Sequence, residues 1–171
     1  MIERQKWVDH EFNLGIHVGW KKNVLSRVQD AGIRIAHHCY NLSDEQLSAS
    51  INEAWSIKQH IGHLIDLEAI HTQRLQEFAS FKRILTMADM SNAKTNQADH
   101  NDQTLFTLLE QFERERKQFI EVFESLSDGV QKHKALHPRI KVLMRPIDLL
   151  FFVAEHDDHH IVSMNRLKSM V

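Results

Sequence analysis

Apolar residues recur at three- and four-residue intervals over four long stretches of this chain, and that spacing predicts four helices. The first runs from Leu14 to Tyr40, with Val24, Val28, Ile35 and Cys39 among its apolar positions and Gly32 weakening its middle. The second, from about Ser56 to Phe81, turns Ile57, Ile61, Leu64, Leu67, Leu75 and Phe78 inward. The third, from about Gln103 to Leu126, repeats Leu105, Leu109, Phe112, Phe119, Phe123 and Leu126 as a heptad-like seam, with Glu113 to Lys117 as its solvated face. The fourth fills the run from Ile147 to Leu167, with Pro146 in its first turn, where a missing N–H is tolerated.

The connections carry their own signals. Ser43 followed by Gln46 reads as a capping box opening a short connector helix. Between Thr86 and Asp102 the periodicity dissolves into Asn, Asp and Ser, a loop of roughly 15 residues, long enough to suggest a functional role. Ser127-Asp128-Gly129 is expected to end the third helix, with Gly129 as a left-handed cap. Leu136-His137-Pro138-Arg139 reads as a turn before the fourth, and residues 1 to about 12 as a lead-in docked through Trp7 and Phe12. Four helices with one inward face each predict an all-α four-helix bundle, a single domain over residues 1–171.

Composition narrows the partners. A formal net charge of −2 gives no basic footprint for nucleic acid. Since no apolar run reaches about 18 residues, no membrane span is expected, and Met1 to Lys6 lacks a signal-peptide core. The single cysteine, Cys39, excludes an internal disulfide framework and is expected to be a packing thiol in a reducing cytoplasm. The compositional oddity is 13 histidines, as a metal protein would show.

Two of those histidines fall on the inward stripe of the fourth helix. Leu149, Val153, His156, His160, Met164 and Leu167 share one narrow face at about 100° per residue, while Asp158 points away. His156 and His160 thus stack one turn apart, close enough to hold one metal ion. Buried imidazoles need partners, and either a metal or carboxylates from a neighbouring helix would serve. A catalytic metal wants a third protein ligand. The second helix offers His60, well inside the stripe, and His63, at its edge beside Leu67 and Ile70; periodicity does not choose between them.

The segment Trp55-Ser56-Ile57-Lys58-Gln59-His60-Ile61-Gly62-His63-Leu64-Ile65-Asp66-Leu67-Glu68 resembles the Trp-Ser…Gly-His-Leu-x-Asp-Leu-Glu signature of the DinB-like (DinB/YfiT) metalloenzyme superfamily. Ala154 to His160 resembles that family's carboxy-terminal His-x-x-x-His helix, and Asp89-Met90-Ser91-Asn92, His100-Asn101 and His137-Pro138-Arg139 resemble the loop signatures of one subgroup. The resemblance implies an antiparallel four-helix bundle in up-down-down-up order, with a metal site between helices. It implies His63, His156 and His160 as the ligands, in place of His60, with His159 at the rim. The ion would be divalent, Zn, Ni, Fe or Mn. The implied function is activation of a thiol or water in a homodimer, as a small-molecule thiol S-transferase or a hydrolase. The low-molecular-weight thiols used by better-understood members point to that class of substrate. The alternatives are a metal-bearing stress-response or binding module without turnover, and a purely structural histidine-rich bundle.

Around the triad, Asp66, Glu68, Glu155 and Asp157 are candidates to orient a ligand's distal nitrogen, Asp66 first because it lies one turn from His63. His100, His137 and Arg139, with Asn101, are candidates to bind a substrate carboxylate or place a proton donor. Met87, Met90, Met144 and Met164 are expected to pack, and Trp55 to plug the start of the second helix.

Overall fold

Caps decide where the long helices begin. In the computed structural model, which describes residues 5–171, Ser56 Oγ accepts the Gln59 N–H at 3.1 Å while Gln59 Oε1 accepts the Ser56 N–H at 2.9 Å, opening a helix at Ile57. In chain order the helices are α1 (Lys21–Gln29), α2 (Ala31–Cys39), α3 (Asp44–Ser48), α4 (Ile57–Ala79), α5 (Ala93–Gln97), α6 (Leu105–Ser125), α7 (Asp128–Lys132) and α8 (Pro146–Lys168). The Ser43–Gln46 capping box opens α3 as expected. The first four residues of the lead-in lie outside the described residues.

Several expectations need correction. The first helix starts later and is interrupted at Asp30, whose backbone sits at φ −85°, ψ 0°. Residues 14–17 are held outside any helix instead, because Asp148 Oδ1 takes the N–H groups of Gly15 and Ile16 at 2.9 and 2.8 Å. Gly15 adopts φ +95° there, a conformation that favours glycine. Gly129 is not a left-handed cap: α6 ends at Ser125, and Ser127 caps the new short helix α7. The Thr86–Asp102 loop contains α5 and a 3-10 turn at His100–Asp102.

Paired contacts give the helix directions. Between α4 and α6 the partners advance together, Glu68 with Arg116 and His71 with Phe119, so these helices are parallel. Between α4 and α8 they run in opposite senses, from His60 with His160 to His71 with His156. Arg27 pairs with Glu155, and Lys168 with the His38 carbonyl, so α1–α2 and α8 are parallel. This is the up-down-down-up order, and the α4–α6 connection must travel the length of the bundle to achieve it. On its way it meets a small hairpin, Ala135–Leu136 (β1) against Leu143–Met144 (β2), to which Ile84 adds one parallel bridge.

The core is in two parts with a polar layer between them. One apolar cluster is built around Val28, Phe78, Phe119, Leu149 and Val153; the other around Ile35, Ile61, Phe112, Ile161 and Met164. Between them lies Arg116, only 3% exposed. Its guanidinium meets Glu68 Oε1 at 2.6 Å and Asp157 Oδ2 at 2.6 Å, and donates to the Val28 carbonyl at 2.9 Å, joining all four helical arms. Arg116 is thus not part of the solvated face. It occupies the seam position one turn after Phe112, and the flanking charges conceal that in the sequence. Burial pushes the Glu68 and Asp157 carboxyls up, against the pull of Arg116.

Candidate metal centre

The same polar layer carries the histidines. Helical spacing puts His156 and His160 one turn apart on the buried side of α8, and α4 brings His63 against them. One ring nitrogen from each lies within 4.8 Å of the others, and all three side chains are buried. The Nε2 atoms of His156 and His160 face each other at 3.1 Å. Two neutral lone pairs at that distance repel unless a proton or a shared cation lies between them.

The distal nitrogens of His63 and His160 have partners. His63 Nδ1 lies 3.1 Å from Thr95 Oγ1, and the Thr95 hydroxyl donates to Asp66 Oδ2 at 2.9 Å. Since Thr95 spends its own proton on Asp66, it accepts from His63 Nδ1–H, which leaves the lone pair on His63 Nε2. Asp66 also takes His100 Nε2 at 3.0 Å and Lys94 Nζ at 3.1 Å. His160 Nδ1 meets His60 Nδ1 at 2.8 Å, so His60 backs the triad by supporting His160. Burial pushes His63 down to about 4 despite Asp66, and pushes His156 and His160 well below the ordinary histidine range, with the neighbouring imidazoles adding to it. All three rings are therefore neutral at pH 7. Three neutral imidazoles, two of them held from behind at the distal nitrogen, are a donor set that fits a divalent ion.

A cleft of about 250 Å³ opens beside the triad. Trp55 covers one edge: its ring is 4.7 Å from the His63 ring, and its Nε1 donates to Asn96 Oδ1 at 2.9 Å. Trp7 docks as expected, 4.9 Å from His156 and 5.4 Å from His159 at the rim. Leu67, Ile70 and Phe152 supply apolar wall.

The sequence candidates divide. His137 and Arg139 line this cleft with the triad. His100 does not: it is buried behind His63, against Asp66 and over Gly62. Asn101 accepts the Ser56 hydroxyl at 2.6 Å, and its carbonyl accepts Lys58 Nζ at 3.0 Å, so it braces the start of α4. Of the carboxylates, Asp66 reaches His63 through Thr95, whereas Glu68 and Asp157 hold Arg116 and Glu155 pairs with Arg27 at 2.8 Å. Asp158 faces outward to Arg27 and Arg34, as its helical phase requires. Met144 and Met164 pack in the core, but Met87 and Met90 are half exposed. Burial pushes the Cys39 thiol up to about 11, in keeping with a packing role.

The sequence profile of the DinB superfamily matches residues 29–164. The chain belongs to that superfamily. Among solved structures, it matches YfiT from Bacillus subtilis at 17% identity and a TM-score of 0.78, over 94% of this chain and 93% of that one. YfiT is described as a probable metal-dependent hydrolase with an unusual four-helix bundle topology. A second match is the mycothiol-dependent maleylpyruvate isomerase, at 10% identity and a TM-score of 0.67, over 84% of this chain and 60% of that one. The chain thus spans about three-fifths of the isomerase's length. No curated protein matches. At these identities the likeness shows the fold, and the helix order in this DinB-superfamily chain agrees with it.

Proposed function

We propose that this protein is a metal-dependent enzyme acting on a small molecule, with His63, His156 and His160 as the ligands of a divalent ion. The observation that carries the reading is the convergence of three neutral, buried ring nitrogens within 4.8 Å of one another, at the edge of a cleft. A purely structural ion would be enclosed by protein donors, whereas three ligands beside an opening leave room for substrate. An ion held by neutral imidazoles keeps its full charge and, when bound, acidifies a neighbouring water or thiol. Thr95 and His60 fix the ring planes of His63 and His160, and Trp7 and Trp55 exclude bulk water from the cleft edges. The reaction class we infer is transfer of a low-molecular-weight thiol to an electrophile, or hydrolysis. Of the accompanying inferences, the homodimer rests on the family resemblance, the cytoplasm on the single cysteine, and one domain per chain on length and the four-helix pattern.

The test is elemental analysis of untagged protein prepared without chelator, beside the His63→Ala, His156→Ala double variant. About one equivalent of a divalent metal, lost in the variant, supports the reading. No metal after reconstitution would overturn it. A metal-loaded protein that turns over neither thiol–electrophile pairs nor esters would instead favour a binding module.

A further inference from the structure

Beyond the triad, the cleft wall carries cationic groups and two buried donors without acceptors. Arg74 on α4 is 2% exposed and spends its Nε and Nη2 on the Thr86 carbonyl, at 3.0 and 2.9 Å. Arg139, in the hairpin turn, lies 5.7 Å from the Trp7 ring centroid and 5.8 Å from that of Phe152, and its Nη2 is buried with no hydrogen-bond partner. Among the described residues neither guanidinium hydrogen-bonds a carboxylate: Glu77 acts on Arg74 through space, but its oxygens are taken by Thr86 and Lys82. A guanidinium N–H shielded from water with no acceptor is costly, and an anionic ligand on this wall would satisfy it.

His137 points the same way. It is 2% exposed, and its Nδ1 accepts the backbone N–H groups of Arg139 and Ile140 at 3.3 and 3.4 Å. The proton of the neutral ring therefore sits on Nε2, and that buried N–H has no acceptor. The hairpin explains why the group is so placed. Leu136 is fixed between the Arg83 carbonyl at 2.8 Å and the Leu85 N–H at 3.0 Å, and the His137 N–H is tied to the Val142 carbonyl at 2.9 Å. The turn that presents His137 and Arg139 is thereby anchored beside Thr86, which holds Arg74. One acid does line the cleft, Asp89, but it is exposed and its oxygens are engaged by Ser91 and Ala93.

We propose that Arg74, His137 and Arg139 form a carboxylate subsite, so that the substrate is a small carboxylic acid with an apolar body, its carboxylate on this wall and its reactive end toward the histidine triad. Two guanidiniums and one N–H donor match the charge and acceptors of a carboxylate. Leu67, Ile70 and Phe152 provide the apolar complement, and the volume admits roughly eight to ten non-hydrogen atoms. The orientation toward the triad rests on the proposed function; the subsite itself does not.

Phenylacetate and its uncharged isostere phenylacetamide are the probes, titrated calorimetrically into the full-length protein. The acid is expected to bind about tenfold or more tightly than the amide, since hydrogen bonds to a charged group are the stronger. Arg139→Gln should abolish that preference, while the metal-free His63→Ala, His156→Ala variant should keep it. Equal binding of acid and amide, or an unchanged preference in Arg139→Gln, would overturn the subsite. A preference that vanishes with the metal and survives Arg139→Gln also overturns it, and leaves the metal reading standing. A preference kept by a protein that never takes up metal supports the subsite and sinks the metal reading. Inorganic phosphate binding more tightly than phenylacetate would refute the carboxylate assignment. Should Arg139→Gln melt early, histidine ring 15N–1H spectra read the same contact: the His137 Nε2 resonance should move with the acid and not the amide, and a stationary resonance overturns the proposal.

Discussion

Gly62 lies one residue before His63, and adding a single methyl there should propagate into the candidate centre. A Cβ built on Gly62 would fall 2.3 Å from Cδ2 and Cγ of His100 and 2.4 Å from its Nδ1. Ordinary carbon contacts begin near 3.5 Å, so the ring would have to retreat by about 1 Å. It has little room, being buried and hydrogen-bonded to Asp66 at 3.0 Å. On propensity alone Gly62→Ala should stabilise the interior of α4 by about 1 kcal/mol. Against this stand overpacking, about 1–3 kcal/mol, and a buried carboxylate losing a donor, about 1–3 kcal/mol. The net expectation is destabilisation by about 1–5 kcal/mol, a fall in Tm of roughly 3–15 °C for a domain of this size. Differential scanning calorimetry reads it, and Gly62→Ala, His100→Ala should recover part of the loss relative to the sum of the single variants, because the clash is gone. If Gly62→Ala melts at or above the parent temperature, the packing of His100 over Gly62 is wrong, and with it the Asp66–Thr95–His63 arrangement.

The remaining predictions concern the polar layer. Arg116→Leu strands the buried Glu68 and Asp157 carboxylates and should cost about 3–5 kcal/mol in urea unfolding, whereas adding Glu68→Gln and Asp157→Asn should return much of it; a neutral single variant would refute the buried pairing. Thr95→Val removes the acceptor behind His63 and should weaken metal affinity about 10–100-fold in a chelator competition, with Thr95→Ser close to the parent; equal affinities would show that Thr95 does not position the ring. Burial, with Arg74 and Arg139 adding to it, pushes His137 down to about 3 from an ordinary 6.5. The folded chain therefore keeps it neutral while the unfolded chain takes up a proton below pH 6.5. Its contribution is complete above pH 6.5 and is lost as the pH falls toward 3, by up to about 4–5 kcal/mol. Urea midpoints at pH 7.5, 6 and 4.5 should fall in that order and fall less steeply in His137→Phe, and a flat profile would contradict the burial.

What the sequence made legible and what it hid have a common physical cause. Periodicity and capping are local, so α4, α6 and α8, each with one inward face, were readable within a few residues of their ends, and so was the i, i+4 pair of His156 and His160. Partners distant in sequence were not. The reason α1 starts late is Asp148, which captures the N–H groups of Gly15 and Ile16 from the far end of the chain. Thr95 looked like one polar loop residue among many, and no local pattern ties it to Asp66. His60 was legible as an inward residue, but its place behind His160 depends on α8 lying antiparallel to α4. Arg116 was hidden for a different reason, since a run of charges masks the seam that passes through Phe112 and Phe119; heptad spacing, read without regard to residue type, marks it.

Arg116 also explains why the centre lies where it does. A bundle with two apolar clusters and a polar layer between them gives up packing at mid-height, and an apolar replacement for a buried ion pair is often the more stable choice. Here the layer holds Arg116, Glu68 and Asp157 on adjacent faces of α4, α6 and α8, the same level at which α4 and α8 present His63, His156 and His160. Asp157 neighbours His156 in sequence, and Glu68 lies on α4 between His63 and His71, so the ion pair fixes the axial register of both histidine-bearing helices. A slip of one turn of α8 against α4, about 5.4 Å, would separate His63 from the other two rings by more than one ion can span. The buried pair is thus the register lock of the centre. Arg116→Leu with Glu68→Gln and Asp157→Asn should then recover stability more fully than metal affinity. Recovery of both to the same extent would show that the helices find their register without it.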